Sequence, residues 1–245
     1  MKPHLIALSY SPWSIRAKWA LDHYGIDYDY TQYTPMLGEP WLRMKTGRWR
    51  GTATVPALIA GSLVLMDSFA IAQWADEQGG NTPLIGDRSA QIAPWNDRAE
   101  AMLAAGRVLV TAAVERDPQA ILESIPVPLR KLPGCIAIGR MGARYILRKY
   151  AIEGSADLRI AEMRRHAVAL REALAANGTV LGSFSYADIA MATSLQMLRP
   201  PEGKQFSLGP ASRRAWSLPE LAAEFEDLLA WRDEIYEQRP RRRDR

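Results

Sequence analysis

The first eighty residues alternate short apolar runs with helix-patterned stretches, and this alternation constrains the fold more than any other feature. Leu5-Ile6-Ala7-Leu8 reads as a buried strand, and Trp13 to Tyr24 as a helix. Ser11 suits the cap of that helix, Pro12 its first turn and Gly25 its C-terminal stop. Tyr28 to Tyr33 alternates and is rich in tyrosine and threonine, so it reads as a second strand. Strand, helix and strand then form a βαβ unit with a parallel pair. Pro35 to Arg50 carries Gly38, Pro40 and Gly47 and reads as a loop with a short helix. Val55 to Ile59 and Leu63 to Met66 form a hairpin around Ala60-Gly61-Ser62. Ser68 to Gln78 is helical and stops at Gly79-Gly80.

Beyond Asn81 to Arg88, a linker with Pro83 and Gly86, the signals are helical. Helices are predicted over Ser89 to Glu115, Asp157 to Ala176, Tyr186 to Leu198 and Pro219 to Gln238. Ile160, Met163, Ala167, Leu170 and Leu174 fall at alternating steps of three and four, the stripe of a packed helix. Prolines 118, 126, 128 and 133 break the start of Asp117 to Tyr150, whereas Gly134 to Tyr150 suits a helix. The expected organisation is an α/β domain over 1–80, a linker at 81–88, an all-helical domain over 89–238 and a solvated, disordered basic tail at 239–245.

Charge and cysteine usage exclude several classes of function. The net charge is +4, but Arg239 to Arg245 holds five arginines and one aspartate, +4 by itself, so the remainder is near neutral. No aromatics interleave with that tail, which argues against a nucleic-acid platform. Leu129 to Lys149 holds six basic residues and no acidic one. It reads as a solvated face, with contact to a membrane surface or an anionic ligand as the other reading. Cys135 is the only cysteine, and His4, His23 and His166 have no ligand spacing, so no disulfide or metal is expected. No apolar run is long enough to span a membrane and no signal peptide is legible, which points to the cytoplasm.

Three short motifs have the residue types for chemistry. Ser11-Pro12-Trp13-Ser14 places a hydroxyl at the positive end of a helix, where anions are stabilised, although serine is also an ordinary cap. Val55-Pro56 opens a strand, where proline is tolerated in either isomer. Asp67-Ser68 starts a helix; the pair is either a simple cap or a corner for a carboxylate and an ammonium group.

In this order and at these spacings the three motifs resemble the N-terminal domain of the glutathione S-transferase family. The expected fold is a thioredoxin-like β-α-β-β-β-α domain followed by an all-α helical bundle. Redox members of that fold carry cysteines where Ser11 and Ser14 stand, and dithiol exchange needs two sulfurs. Gly182-Ser183-Phe184-Ser185-Tyr186-Ala187-Asp188 resembles the family's capping box and hydrophobic staple, with Ser185 expected to cap the Asp188 N–H and Asp188 to reach back to Ser185. Asp117 to Tyr150 and the arginine tail are not matched.

The resemblance implies a glutathione-dependent transferase of serine type, similar to the zeta, tau and phi classes. Asp67 and Ser68 would hold the γ-glutamyl group of the cosubstrate glutathione, and Val55 would pair with its cysteinyl backbone beside a cis Pro56. Ser11 would donate to the thiolate, with Tyr10 its adjacent rival and Ser14 a possible helper. Lys45, Arg48 and Arg50 are the candidate cations for the glycyl carboxylate, Lys45 being the chosen one. Trp13, Trp95 and Met102, with Trp41, Met36 and Arg98 as further candidates, would line a pocket for a hydrophobic electrophile. Isomerisation, dehalogenation, ether cleavage and a non-catalytic binding role are the alternatives. A homodimer with a detoxifying role is expected, with no specific nucleic acid and no membrane span.

Overall fold

The computed structural model describes residues 2–35, 37–150, 154–203, 206 and 208–240. Met36 and most of the arginine tail lie outside the described residues. The chain divides into two compact units. The first comprises Met1–Asn96, Asn177–Thr193 and Glu234–Arg245; the second comprises Asp97–Ala176 and Ser194–Asp233.

The first unit holds a four-stranded sheet in the order β2-β1-β3-β4. β1 (His4–Ala7) pairs in parallel with β2 (Asp29–Gln32), and α1 (Pro12–His23) makes the crossover. β3 (Ala57–Ala60) runs antiparallel to β1, and β4 (Leu63–Leu65) antiparallel to β3. Gly61 turns the hairpin at φ 64°, a backbone region that glycine enters without penalty. α2 (Glu39–Thr46) lies in the loop after β2, and α3 (Ser68–Gln78) follows β4. This is the thioredoxin-like arrangement expected from the strand and helix signals.

β1 is central, and Leu5, Ile6 and Ala7 are fully buried, as a strand covered on both faces requires. Ile6 joins Leu42 of α2, Tyr33, Ala53 and Ala57 in one apolar cluster, edged by Trp41, Val55 and Met66. Strand alternation puts Leu5 and Ala7 on the other face. α1 packs against α3 and buries Ile15, Ala17, Trp19, Ala20 and Leu21.

Residues of α8 (Tyr186–Ser194) complete this unit. The Tyr186 N–H donates to the Leu84 carbonyl at 2.9 Å, and the Tyr186 and Phe69 rings stack with centroids 5.2 Å apart. The capping box forms with one difference from expectation. Asp188 accepts from the Ser185 N–H and hydroxyl (2.8 and 3.0 Å) and from the Val180 N–H (2.9 Å). Ser185 Oγ, however, accepts from the Ala187 N–H at 3.2 Å rather than from Asp188. A short hydroxyl reaches the second helical N–H as readily as the third.

The second unit is helical. Most of α4 (Ser89–Arg116) and of α7 (Ala156–Asn177) belongs to it. Gly106 of α4 lies so close to Met197 that an added Cβ would sit 2.4 Å from the Met197 Cβ. Two stretches differ from the sequence reading. Pro118 does not break the chain but opens α5 (Pro118–Ser124), because Asp117 caps the N–H groups of Gln119 and Ala120 and proline suits the first turn. The segment 219–238 is two helices, α10 (Pro219–Glu224) and α11 (Glu226–Glu237), separated at Phe225, which leaves helical dihedrals at φ −120° and ψ 36°. α6 (Cys135–Lys149) forms as expected, and α9 (Pro210–Ala215) had no clear signal.

Candidate functional site

The strand register gathers the three motifs at one end of the sheet. His4 pairs with Ile59, Leu5 with Leu58 and Ile6 with Ala57, so β1 ends where β3 begins. Leu58 pairs with Leu65, so β4 ends there too. Ser11 follows β1, Val55-Pro56 precedes β3 and Asp67-Ser68 follows β4. The N-termini of α1 and α3 therefore both open at this end, and two helix N-termini supply N–H groups and partial positive charge for an anionic ligand.

Ser11 occupies the cap position of α1 with extended backbone, yet its side chain makes no cap hydrogen bond. The residue is buried, and its N–H is held by the Leu8 carbonyl at 3.3 Å. Its hydroxyl is thus available to a ligand in the position where a capping serine would be occupied. Ser14 is committed otherwise, since its fully buried hydroxyl accepts from the Leu8 N–H at 3.1 Å and anchors the turn from β1 into α1. Burial pushes the Tyr10 phenol above its ordinary range, so it stays protonated.

The Val55–Pro56 peptide is cis, one of the two isomers the sequence left open. Pro56 is buried and Val55 half-buried, against the apolar cluster beneath β3. None of the described backbone hydrogen bonds outside helices and strands involves Val55. The Thr54 hydroxyl donates to the Met66 carbonyl at 3.2 Å and ties the two ends of the hairpin together beside Val55 and Asp67. A lone threonine carries no sequence signal for that role.

Asp67 caps α3 through one carboxylate oxygen, which accepts from the Ala70 N–H at 2.8 Å. A carboxylate has acceptor capacity beyond one such bond. Ser68 is 1% exposed, and its hydroxyl has no partner among the described residues. A buried hydroxyl without a partner costs about 1–3 kcal/mol, so such groups are uncommon away from ligand sites.

The remaining candidates are spread more widely. Lys45, in the last turn of α2, is exposed with its ammonium 5.9 Å from the Trp41 ring centroid. Arg43 is pinned instead, bonding Glu39 and the carbonyls of Arg48 and Gly51, and so shapes the loop that carries Arg48 and Arg50. Trp13 and Trp95 are half-buried in the first unit. Met102 belongs to the second unit and is fully buried, its sulfur 3.4 Å from the Ser194 hydroxyl.

Two residues support this arrangement: Arg16, which in sequence reads as a surface or inter-domain pairing residue of the first helix, and Asp76, which carries no signal of its own. Arg16 is fully buried on α1 and donates to the Thr193 hydroxyl (2.7 Å) and the Ala190 carbonyl (2.9 Å), fastening α1 to the end of α8. Asp76 of α3 accepts from the Tyr24 hydroxyl and from the N–H groups of Leu84, Ile85 and Gly86. Burial pulls its pKa up, but these donors outweigh burial and hold it below the usual aspartate value. Both are single polar residues in helix-patterned stretches, where local sequence gives no sign of their partners.

Residues 10–78 match the model of the glutathione S-transferase N-terminal domain. A comparison with curated proteins found no match. Among solved structures, a glutathione transferase family member from Pseudomonas fluorescens Pf-5 with bound glutathione is similar at TM-score 0.60 and 22% identity, covering 98% of this chain and 96% of that one. A glutathione S-transferase domain-containing protein from Marinobacter aquaeolei VT8 is similar at TM-score 0.62 and 19% identity, covering 96% and 98%. Glutathione transferase F7 from Populus trichocarpa has TM-score 0.59 and 16% identity, covering 96% and 94%. At these identities the structural likeness speaks for the fold, and the family model speaks for the domain that carries Ser11, Pro56 and Ser68. The chain therefore has a glutathione S-transferase N-terminal domain over residues 10–78 and, over nearly its whole length, the glutathione S-transferase fold.

Proposed function

We propose that this chain binds glutathione and activates its thiol for attack on a hydrophobic electrophile. The observation that carries the reading is the buried, unpartnered hydroxyl of Ser68 at the start of α3, on the sheet end that also presents the uncapped hydroxyl of Ser11. Ser68 and the first N–H groups of α3 suit the γ-glutamyl carboxylate, and the second oxygen of Asp67 suits the neighbouring ammonium. The Val55 backbone suits the cysteinyl peptide unit. Lys45 suits the glycyl carboxylate, since it lies in the loop region after β2 on a flexible stem.

Ser11 acts as a hydrogen-bond donor and not as a nucleophile. A free thiol has a pKa of about 8.5, so little of it is ionised at neutral pH. A hydrogen bond to a charged group contributes about 1.5–3 kcal/mol and a helix N-terminus about 0.3–1 kcal/mol. At about 1.4 kcal/mol per unit, the two together lower the thiol pKa by roughly one to three units. The thiolate then dominates near neutrality. Its sulfur forms a bond to the electrophilic carbon while the leaving group departs with the bonding pair. Isomerisation, dehalogenation and ether cleavage begin from the same thiolate and differ in the second substrate.

Calorimetric titration with glutathione, followed by turnover of a chloronitroarene, tests the reading. Binding in the millimolar range or tighter and measurable conjugation are expected. Absence of glutathione binding overturns the reading, and binding without turnover of any electrophile overturns its catalytic part.

A further inference from the structure

The segment from Pro126 to Lys149, which carries none of the motifs behind the family resemblance, presents a surface the proposed chemistry does not use. Four of its apolar side chains are turned well outward: Val127 is 67% exposed, Leu132 50%, Ile138 50% and Met141 60%. Ala137, Met141, Arg144 and Arg148 are exposed at steps of four, three and four, so they share one face of α6, with Ile138 beside them. The first two turns of that face are apolar and the last two basic. The preceding turn adds exposed Leu129, Arg130, Lys131 and Leu132. Between Ser124 and Ile152 the sequence has no acidic residue.

The arginines are held in place rather than neutralised as a group. Arg130 bonds the carbonyls of Glu123 and Ile125, which carry no formal charge. Arg140 and Arg144 share the single carboxylate of Glu115, at 3.7 and 3.0 Å. Lys131 and Arg148 remain exposed at opposite ends of the surface. A run of outward apolar side chains with excess positive charge matches a layer that is anionic at its surface and apolar beneath. A second copy of the same face is a poor match, because a two-fold contact would set its basic residues opposite one another. None of the described helices is long and apolar enough to cross a bilayer, so the contact is one of lying on the surface.

We propose that this face of α6, with the turn before it, docks the protein on anionic lipid bilayers. The charges draw the protein to the headgroups, and Val127, Leu132, Ile138 and Met141 enter the boundary below them. Whether the chain binds glutathione has no bearing on this contact.

Flotation of the full-length protein with phosphatidylcholine vesicles, with and without phosphatidylglycerol, tests the proposal. Binding at least tenfold stronger to the anionic vesicles is expected, weakening with added salt. The double variant Lys131→Glu, Arg148→Glu, at positions without a partner among the described residues, should lose at least tenfold, and Met141→Asp should lose binding with an unchanged circular dichroism spectrum. No preference for anionic vesicles overturns the proposal, as does binding that survives these substitutions, which would assign it to the arginine tail. Equal binding to soluble polyglutamate, insensitive to Met141→Asp, would identify an acidic protein as the partner and also overturn it. So would a shift of oligomeric state in Ile138→Asp without vesicles.

Discussion

At the scale of single residues, the site is defined by hydroxyls that lack the partners their positions would ordinarily give them. Ser11 stands at a cap without capping, and the buried Ser68 hydroxyl has no hydrogen-bond partner among the described residues. Both make predictions that separate a ligand role from a structural one. Ser11→Ala should reduce kcat with a chloronitroarene by about tenfold or more, since a hydrogen bond to a charged group is lost. The pH profile of kcat/KM should move upward while the melting temperature stays put. Unchanged turnover, or a larger loss in Tyr10→Phe, would move the donor role to Tyr10. Ser68→Ala should weaken glutathione binding about tenfold by calorimetry, on the same energetic scale. It should leave stability equal or slightly raised, because a hydroxyl without a partner contributes nothing to the folded state. A destabilised Ser68→Ala protein with unaltered affinity would show a structural role instead.

Elements are held by a few buried polar contacts whose loss has a calculable scale. Asp188 accepts three hydrogen bonds inside α8 and its approach, and burial raises its pKa despite them. Asp188→Ala leaves buried donors at Val180 and Ser185 unanswered and should cost about 2–5 kcal/mol in chemical denaturation. The expected loss exceeds that of an ordinary exposed cap, about 1 kcal/mol. Gly106→Ala tests packing within the helical unit. Alanine gains up to about 1 kcal/mol in helix propensity, but overpacking against Met197 costs about 1–3 kcal/mol. Net destabilisation is therefore expected, and a stabilised variant would mean that Met197 moves aside freely. The elements also show why some boundaries were illegible. Pro118 reads as a breaker until Asp117 is seen capping, and nothing between Pro219 and Gln238 announces the break at Phe225, where no proline or glycine stands.

For the whole molecule, acid sensitivity follows from half-buried Asp76 in the first unit and buried His166 in the second. Asp76 has a folded pKa below its unfolded value of about 3.9. Its contribution is complete above that value and is lost as pH falls through the folded pKa. His166 is held below the usual histidine pKa, first by burial and then by Arg165 beside it. Protonation in the unfolded chain therefore drains stability as pH drops below about 6.5. Melting curves from pH 7 to pH 3 should show two losses, one beginning near pH 6 and one below pH 4. Asp76→Asn should remove most of the lower one; an unchanged acid limb would show that other carboxylates control it.

Much of this molecule is legible in its sequence. Period-two and period-3.6 patterning, with Gly25, Gly61 and Gly79 as punctuation, determined the strand and helix order of the N-terminal domain, because those signals depend on local geometry and burial alone. With Cys135 as the sequence's one cysteine, composition alone excludes dithiol exchange within the chain. Tertiary structure decided which hydroxyls are free. Ser11 and Ser14 look alike in sequence, yet only Ser14 meets the Leu8 N–H, and either residue of Asp67-Ser68 reads as a cap while Asp67 alone does the capping. It also decided that residues of α8 complete the first unit, through Arg16, Tyr186 and the Leu84 carbonyl. These outcomes depend on partners as far as 177 positions apart in the chain. A hydrogen bond over such a separation leaves no periodic trace in sequence, because only the folded backbone brings its two ends together.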